Sequence, residues 1–148
     1  MSAVKFTEKI RIKRTQAEVF DLTQDYENRL NWDTFLTKAD LLDGATEAGM
    51  GVKSYCAAHN GLGMETEYVS FQRPKVTAVK MTKGPFVFKS FLGSWRFHPI
   101  NPEETEVVFL YSFQLRFPFN LGNFLAKRIL RKEVQGRLRD LKIFMEKS

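Results

Sequence analysis

Few side chains in this sequence are equipped for chemistry. Among its 148 residues there are two histidines, His59 and His98, and one cysteine, Cys56. Cys56 and His59 stand three apart on an extended segment, where such positions face opposite sides. A zinc site needs about three converging protein ligands, so no metal is expected. There is no Gly-x-Ser-x-Gly, and Cys56 has no obvious His/Asp partner, so it reads as a small packing residue. "HNGLGMETE" holds glycines but neither a helix start nor a Lys-Ser/Thr pair, which makes it a turn rather than a phosphate loop. No cofactor is expected. Glu65 and Glu67 share one strand face, expected to be the solvated one, with Thr66 and Tyr68 pointing inward. With the opposite parity, two carboxylates would enter an apolar interior and at least one would be pushed up. Tyr111 lies between Phe109 and Phe113 on another strand face, and a buried hydroxyl there needs a partner. No residue is assigned a catalytic role outright; if the protein is an enzyme, Tyr111 and Tyr68 are the side chains able to handle protons.

The cations cluster near the C-terminus. "AKRILRKEVQGRLRDLK" sets Lys127, Arg128, Arg131, Lys132, Arg137, Arg139 and Lys142 around an apolar stripe. They read as the solvated back of an amphipathic helix, and alternatively as a surface for anionic membrane or RNA. Arg128, beside Phe124 and Ile129, can snorkel toward an acidic ligand. The net charge of +6 permits these anionic partners without requiring any.

These groups must be held by one domain, since no repeat, linker or low-complexity tract divides the chain. Aromatic residues make up 14% of it, 14 of them phenylalanine, which suits a thick core or a cavity with aromatic walls. The start "MSAVKFTEKI" lacks a secretory pattern, no apolar run is long enough to span a membrane, and a lone cysteine fits a reducing compartment. A cytoplasmic location is expected.

Hydrophobic alternation predicts a first strand in "VKFTEKIRIK". Thr15 and Glu18 form a capping box for a short helix. Asp25 is expected to cap a second helix that buries Tyr26, Leu30 and Trp32. Six strands follow, separated by turns at Asp43-Gly44, Asn60-Gly61, Arg73-Pro74, Lys83-Gly84 and "NPEE". In the last strand Val107, Phe109, Tyr111, Phe113, Leu115 and Phe117 share a face. From Phe119 to Lys147, Leu121, Leu125, Ile129, Val134, Leu138, Leu141 and Met145 recur near helical period, widened by Phe124 and Phe144. In "GPFVFKSFLGSWRFHP" the aromatic parity flips between Phe88 and Phe91. A β-bulge near Ser90 would place Phe86, Phe88, Phe91, Trp95 and Phe97 on one concave face, with Lys89, Ser94, Arg96 and His98 outward.

The order of elements, with "VFDLTQDYENRLNW" after the first strand and "GPF" and "LGSWRFHP" in the next-to-last, resembles the START-like, or helix-grip (SRPBCC), superfamily. The likeness is to its polyketide cyclase/dehydrase and coenzyme-Q-binding branch. It implies an α+β fold: a curved, seven-stranded antiparallel sheet around a long C-terminal helix, with two short helices after strand 1. It also implies a hydrophobic or amphipathic small molecule, such as a lipid, an isoprenoid/quinone or a polyketide-like compound, in a cavity between sheet and helix. The cavity wall is expected from Trp32, Phe86, Phe88, Trp95, Phe97, Phe109, Tyr111, Phe113 and Phe124, with Arg128 at the mouth and Trp32 and Phe35 at the entrance. The alternatives are a cyclase/dehydratase enzyme and an interaction protein that uses the basic helix. In the latter case a weak contact with an anionic membrane surface is expected before one with nucleic acid.

Overall fold

A computed structural model describes residues 3–147 of the chain. The first strand, β1 (Val4–Ile12), leads through the Thr15 capping box into α1 (Gln16–Thr23). There the Thr15 hydroxyl accepts from the Glu18 N–H and the Glu18 carboxylate accepts from the Thr15 N–H. A second, one-turn helix, α2 (Arg29–Trp32), follows. Then come β2 (Leu36–Leu41), β3 (Lys53–Ala58), β4 (Gly63–Gln72), β5 (Val76–Lys83), β6 (Phe88–Asn101) and β7 (Glu104–Leu115). A 3-10 turn at Phe119–Gly122 hands over to the long helix α3 (Asn123–Lys147).

Asp25 does not cap α2. Its carboxylate accepts from the Glu27 N–H and the Asn28 side chain, which builds a turn ahead of the helix. Leu30 faces solvent, while Trp32 is buried against Trp95.

The strands form one antiparallel sheet in the order β1-β7-β6-β5-β4-β3-β2. The six-strand meander is present, and β1 returns to pair with β7. Register shifts interrupt the β2–β3, β4–β5 and β6–β7 ladders. Each adds local twist and bend, so the sheet curls instead of lying flat. The bulge in β6 falls at Lys89: Phe88 pairs with Leu115 and Ser90 with the adjacent Gln114. It brings the rings of Phe88 and Phe91 edge to face at 5.3 Å on the concave side. Lys89, Arg96 and His98 point outward, but Ser94 is buried and donates to the Thr77 carbonyl. Phe86 precedes the strand and stands 74% exposed, so the bulge cannot turn it inward.

The core lies between the concave face and the C-terminal half of α3. Val134, Leu138, Leu141 and Met145 pack against Phe6, Ile12, Val107 and the inward side of β7. That half is also tied to β1 by Arg131 and Gln135, both donating to Glu8, and by Lys142 donating to the Arg11 carbonyl. The N-terminal half does not close on the sheet. Leu121, Phe124, Leu125 and Ile129 remain exposed, and Phe117, beyond the end of β7, is exposed as well. The apolar stripe of α3 is continuous in sequence, but it is buried against the sheet only in its second half.

Candidate functional site

The space left under the N-terminal half of α3 is a cavity of about 520 Å³. One wall comes from α3: Leu125, Ala126, Ile129, Leu130, Glu133 and Arg137. The sheet supplies Ser54, Cys56, Met64, Thr66, Tyr68, Val79, Phe88, Phe91, Trp95, Phe109 and Tyr111, and the short helices and their flanks add Gln24, Tyr26, Arg29 and Phe35. Most of this lining is apolar or aromatic, with polar groups gathered at one end, which is the usual make-up of a small-molecule pocket. Gly93 matters to its shape. A Cβ there would lie 3.3 Å from the Tyr111 ring, tighter than an ordinary contact, so glycine lets that ring sit close against β6.

Of the expected wall residues, Phe35, Phe88, Trp95, Phe109 and Tyr111 line this cavity. The others lie elsewhere. Phe97 and Phe113 are fully buried in the core, Phe97 beneath Phe20 of α1 and Phe113 in the ladder between Val4 of β1 and Phe91 of β6. Trp32 is buried behind the wall, with the Arg29 guanidinium over its ring, and does not guard an entrance. Phe86 stacks outside beneath the Arg116 guanidinium. Phe124, 81% exposed, and Arg128, also exposed, project from the face of α3 that points away from the cavity. Thr66 and Tyr68 face inward as expected, while Glu65 accepts from Thr82 on the outer side.

Two hydrogen-bonded groups form the polar end. In one, Tyr68 donates to the Gln24 amide oxygen at 2.6 Å, and Tyr26, Ser54 and Thr66 continue the chain of hydroxyls. The other centres on Asp33, which is wholly buried. Its Oδ2 accepts from Arg29 Nε at 3.0 Å and from Arg137 Nε and Nη2 at 3.1 and 2.9 Å. Arg137 Nη1 donates to the Tyr111 hydroxyl at 2.9 Å. Burial by itself would push the Asp33 carboxyl up, but Arg137 and Arg29 overcome it and hold it below the usual range. Burial likewise works against the charge on both guanidiniums, and Asp33 restores it. Burial pushes the phenols of Tyr68 and Tyr111 up. Both keep their protons at neutral pH; Tyr68 donates to Gln24, while the Tyr111 oxygen accepts from Arg137. Burial also raises the Cys56 thiol, which faces the cavity as a neutral group.

Arg29, Asp33 and Arg137 are absent from the sequence-based site, and Arg137 does not belong to the solvated back of the helix. The signal was present. Arg137 falls three after Val134 and four before Leu141, inside the buried stripe, and Arg29 and Asp33 are spaced i,i+4 beside a tryptophan. A cation inside an apolar stripe calls for a buried partner.

Comparison with known proteins agrees with this architecture. A family model described as polyketide cyclase / dehydrase and lipid transport matches residues 3–146. No curated protein matches the chain at the level of sequence. Among solved structures, an aromatase/cyclase (Zhui) from a Streptomyces strain superposes with a TM-score of 0.82 at 13% identity, covering 97% of this chain and 94% of that one. A START superfamily protein from Mycobacterium smegmatis gives 0.70 at 11% identity, covering 93% and 98%. A major latex-like protein from Panax ginseng gives 0.73 at 16%, covering 98% and 99%. At such identities the likeness is one of fold.

Proposed function

The chain belongs to the polyketide cyclase/dehydrase and lipid transport family, and from that premise we propose that it binds and carries an amphipathic small molecule of the lipid, isoprenoid or polyketide-like kind. The observation that carries this reading is the cavity of about 520 Å³, with its aromatic wall on one side and the unpacked half of α3 on the other. A ligand that buries about 200 Å² of apolar surface there gains roughly 5 kcal/mol, at ~25 cal/mol per Å², before the cost of ordering.

Ala126 lines the cavity from the first turn of α3. Ala126→Phe puts a ring where the ligand body sits. We expect it to weaken binding of a fluorescent pyrene-alkyl probe by about tenfold or more, roughly 1.4 kcal/mol, without loss of thermal stability. Unchanged probe affinity in a folded variant, or no binding by the wild type, overturns the reading.

The exposed surface around the start of α3 supports an accompanying role at an anionic bilayer surface. Phe117, Leu121, Phe124 and Leu125 are all exposed at the start of α3 and just before it, and Leu125 also lines the cavity. Arg128 follows Phe124 by one turn of α3, and Arg116 lies over Phe86. Apolar side chains beside cations match the interface of a negatively charged membrane. Among the described residues no helix is long and apolar enough to cross a membrane, so the contact would be peripheral. Sedimentation with vesicles of phosphatidylcholine and phosphatidylglycerol should retain the wild type and release Leu121→Asp/Phe124→Asp. Both positions are exposed, so stability should change by less than about 0.5 kcal/mol. Vesicle binding that survives the double variant, or that ignores the anionic lipid, removes this role.

A further inference from the structure

Within the hydrogen-bonded cluster at the polar end of the cavity, the charges do not balance. Two guanidiniums, Arg29 and Arg137, share one carboxylate, and they share the same oxygen of it. The other oxygen, Oδ1, accepts from the Phe35 N–H. The remaining hydrogen bonds of the pair go to neutral acceptors, the Thr23 carbonyl and the Tyr111 hydroxyl. Arg29 Nη2 has no hydrogen-bond acceptor among the described residues, nor does the Tyr111 hydroxyl proton. Glu133 also stands on the cavity wall, near enough to feel the charge of Arg137, but it makes no hydrogen bond or ion pair with either guanidinium. Buried charge is costly unless it is paired, and a guanidinium is shaped for a planar, two-oxygen anion.

We infer that the cavity takes ligands with a carboxylate-type oxyanion head, held at the Arg29–Arg137–Tyr111 end, while the apolar body lies against Phe88, Trp95 and α3. This inference rests on the ligand-binding reading above and adds to it the chemical class of the head. Glu133 stands on the same wall and opposes such a head by like charge, so its removal should favour the acid.

The test compares 1-pyrenebutanoate with 1-pyrenebutanol, which share an apolar body and differ in the head. Fluorescence titration at pH 7 should show the wild type binding the acid about tenfold tighter than the alcohol. Arg137→Gln, checked for folding by circular dichroism, should erase that preference. Glu133→Gln alters a side chain without hydrogen-bond partners and does not depend on the Arg137 cluster for its fold. It should strengthen binding of the acid about threefold relative to the alcohol. Equal affinities for acid and alcohol in the wild type, or a Glu133→Gln variant that leaves their ratio unchanged, overturn the anionic head while the ligand-binding reading stands. Binding of neither probe overturns both.

Discussion

Asp33→Asn is expected to destabilise the protein by about 3–5 kcal/mol, the cost of breaking a buried ion pair from one side. Asparagine keeps the shape of the side chain but leaves Arg29 and Arg137 facing each other with no anion between them. Urea unfolding at pH 7 measures the difference directly. The pH dependence carries the same information with a fixed sign. The Asp33 carboxyl is held below its unfolded value, which is about 3.9, so its contribution is complete above that pH and fades as pH falls through the folded value. The gap between wild type and Asp33→Asn should therefore stay constant from neutral pH down to about 4 and narrow only below it. A loss under about 1 kcal/mol at pH 7 would mean that the cluster is solvated.

Phe97→Ala is expected to cost a similar amount, about 3–5 kcal/mol, and for a different reason. Phe97 is 1% exposed, stacked on Trp95 at 6.1 Å and met edge-on by Phe20 at 5.3 Å. Its removal leaves a void in the packed core, away from the cavity under α3. In the folded fraction, probe affinity should stay within about twofold of wild type. Trp95→Ala, one strand position pair away but on the cavity wall, should lose both stability and affinity. If Phe97→Ala abolishes binding while Trp95→Ala spares it, the assignment of core and cavity along β6 is reversed.

The contrast between these neighbours shows what can be read from a sequence of this kind. Period-two alternation in β7, the capping box at Thr15 and the long stripe of α3 are local patterns, and each appears in the structure where the residues place it. The parity flip in β6 marked its bulge to within a residue. Alternation tells which side of a strand a residue faces, but not what lies opposite. Phe97 and Trp95 share a face, and only the placement of α1, whose Phe20 covers Phe97, decides that one meets helix and the other meets the cavity. The same gap explains Phe124 and Arg128, which a helical repeat places near the stripe and the real helix turns outward. The Asp33 cluster draws on α2, the loop after it and the middle of α3. Arg29 and Asp33 stand four apart, but Arg137 lies 104 residues beyond Asp33, and no local spacing links it to them.

The pairing of β1 with β7 has a consequence in time. Ile12 is partnered by Thr105 and Val4 by Phe113, so the first strand made waits for the last. At roughly 5–20 residues per second the ribosome leaves β1 without its partner for on the order of 5–20 s. Contacts closed over such long loops put the domain among folds that fold in milliseconds to seconds rather than microseconds. Through that interval the alternating apolar face of β1 is a bare sheet edge. Its lysines, Lys5 and Lys9, are the kind of charge that discourages a strand from pairing with the wrong neighbour while it waits.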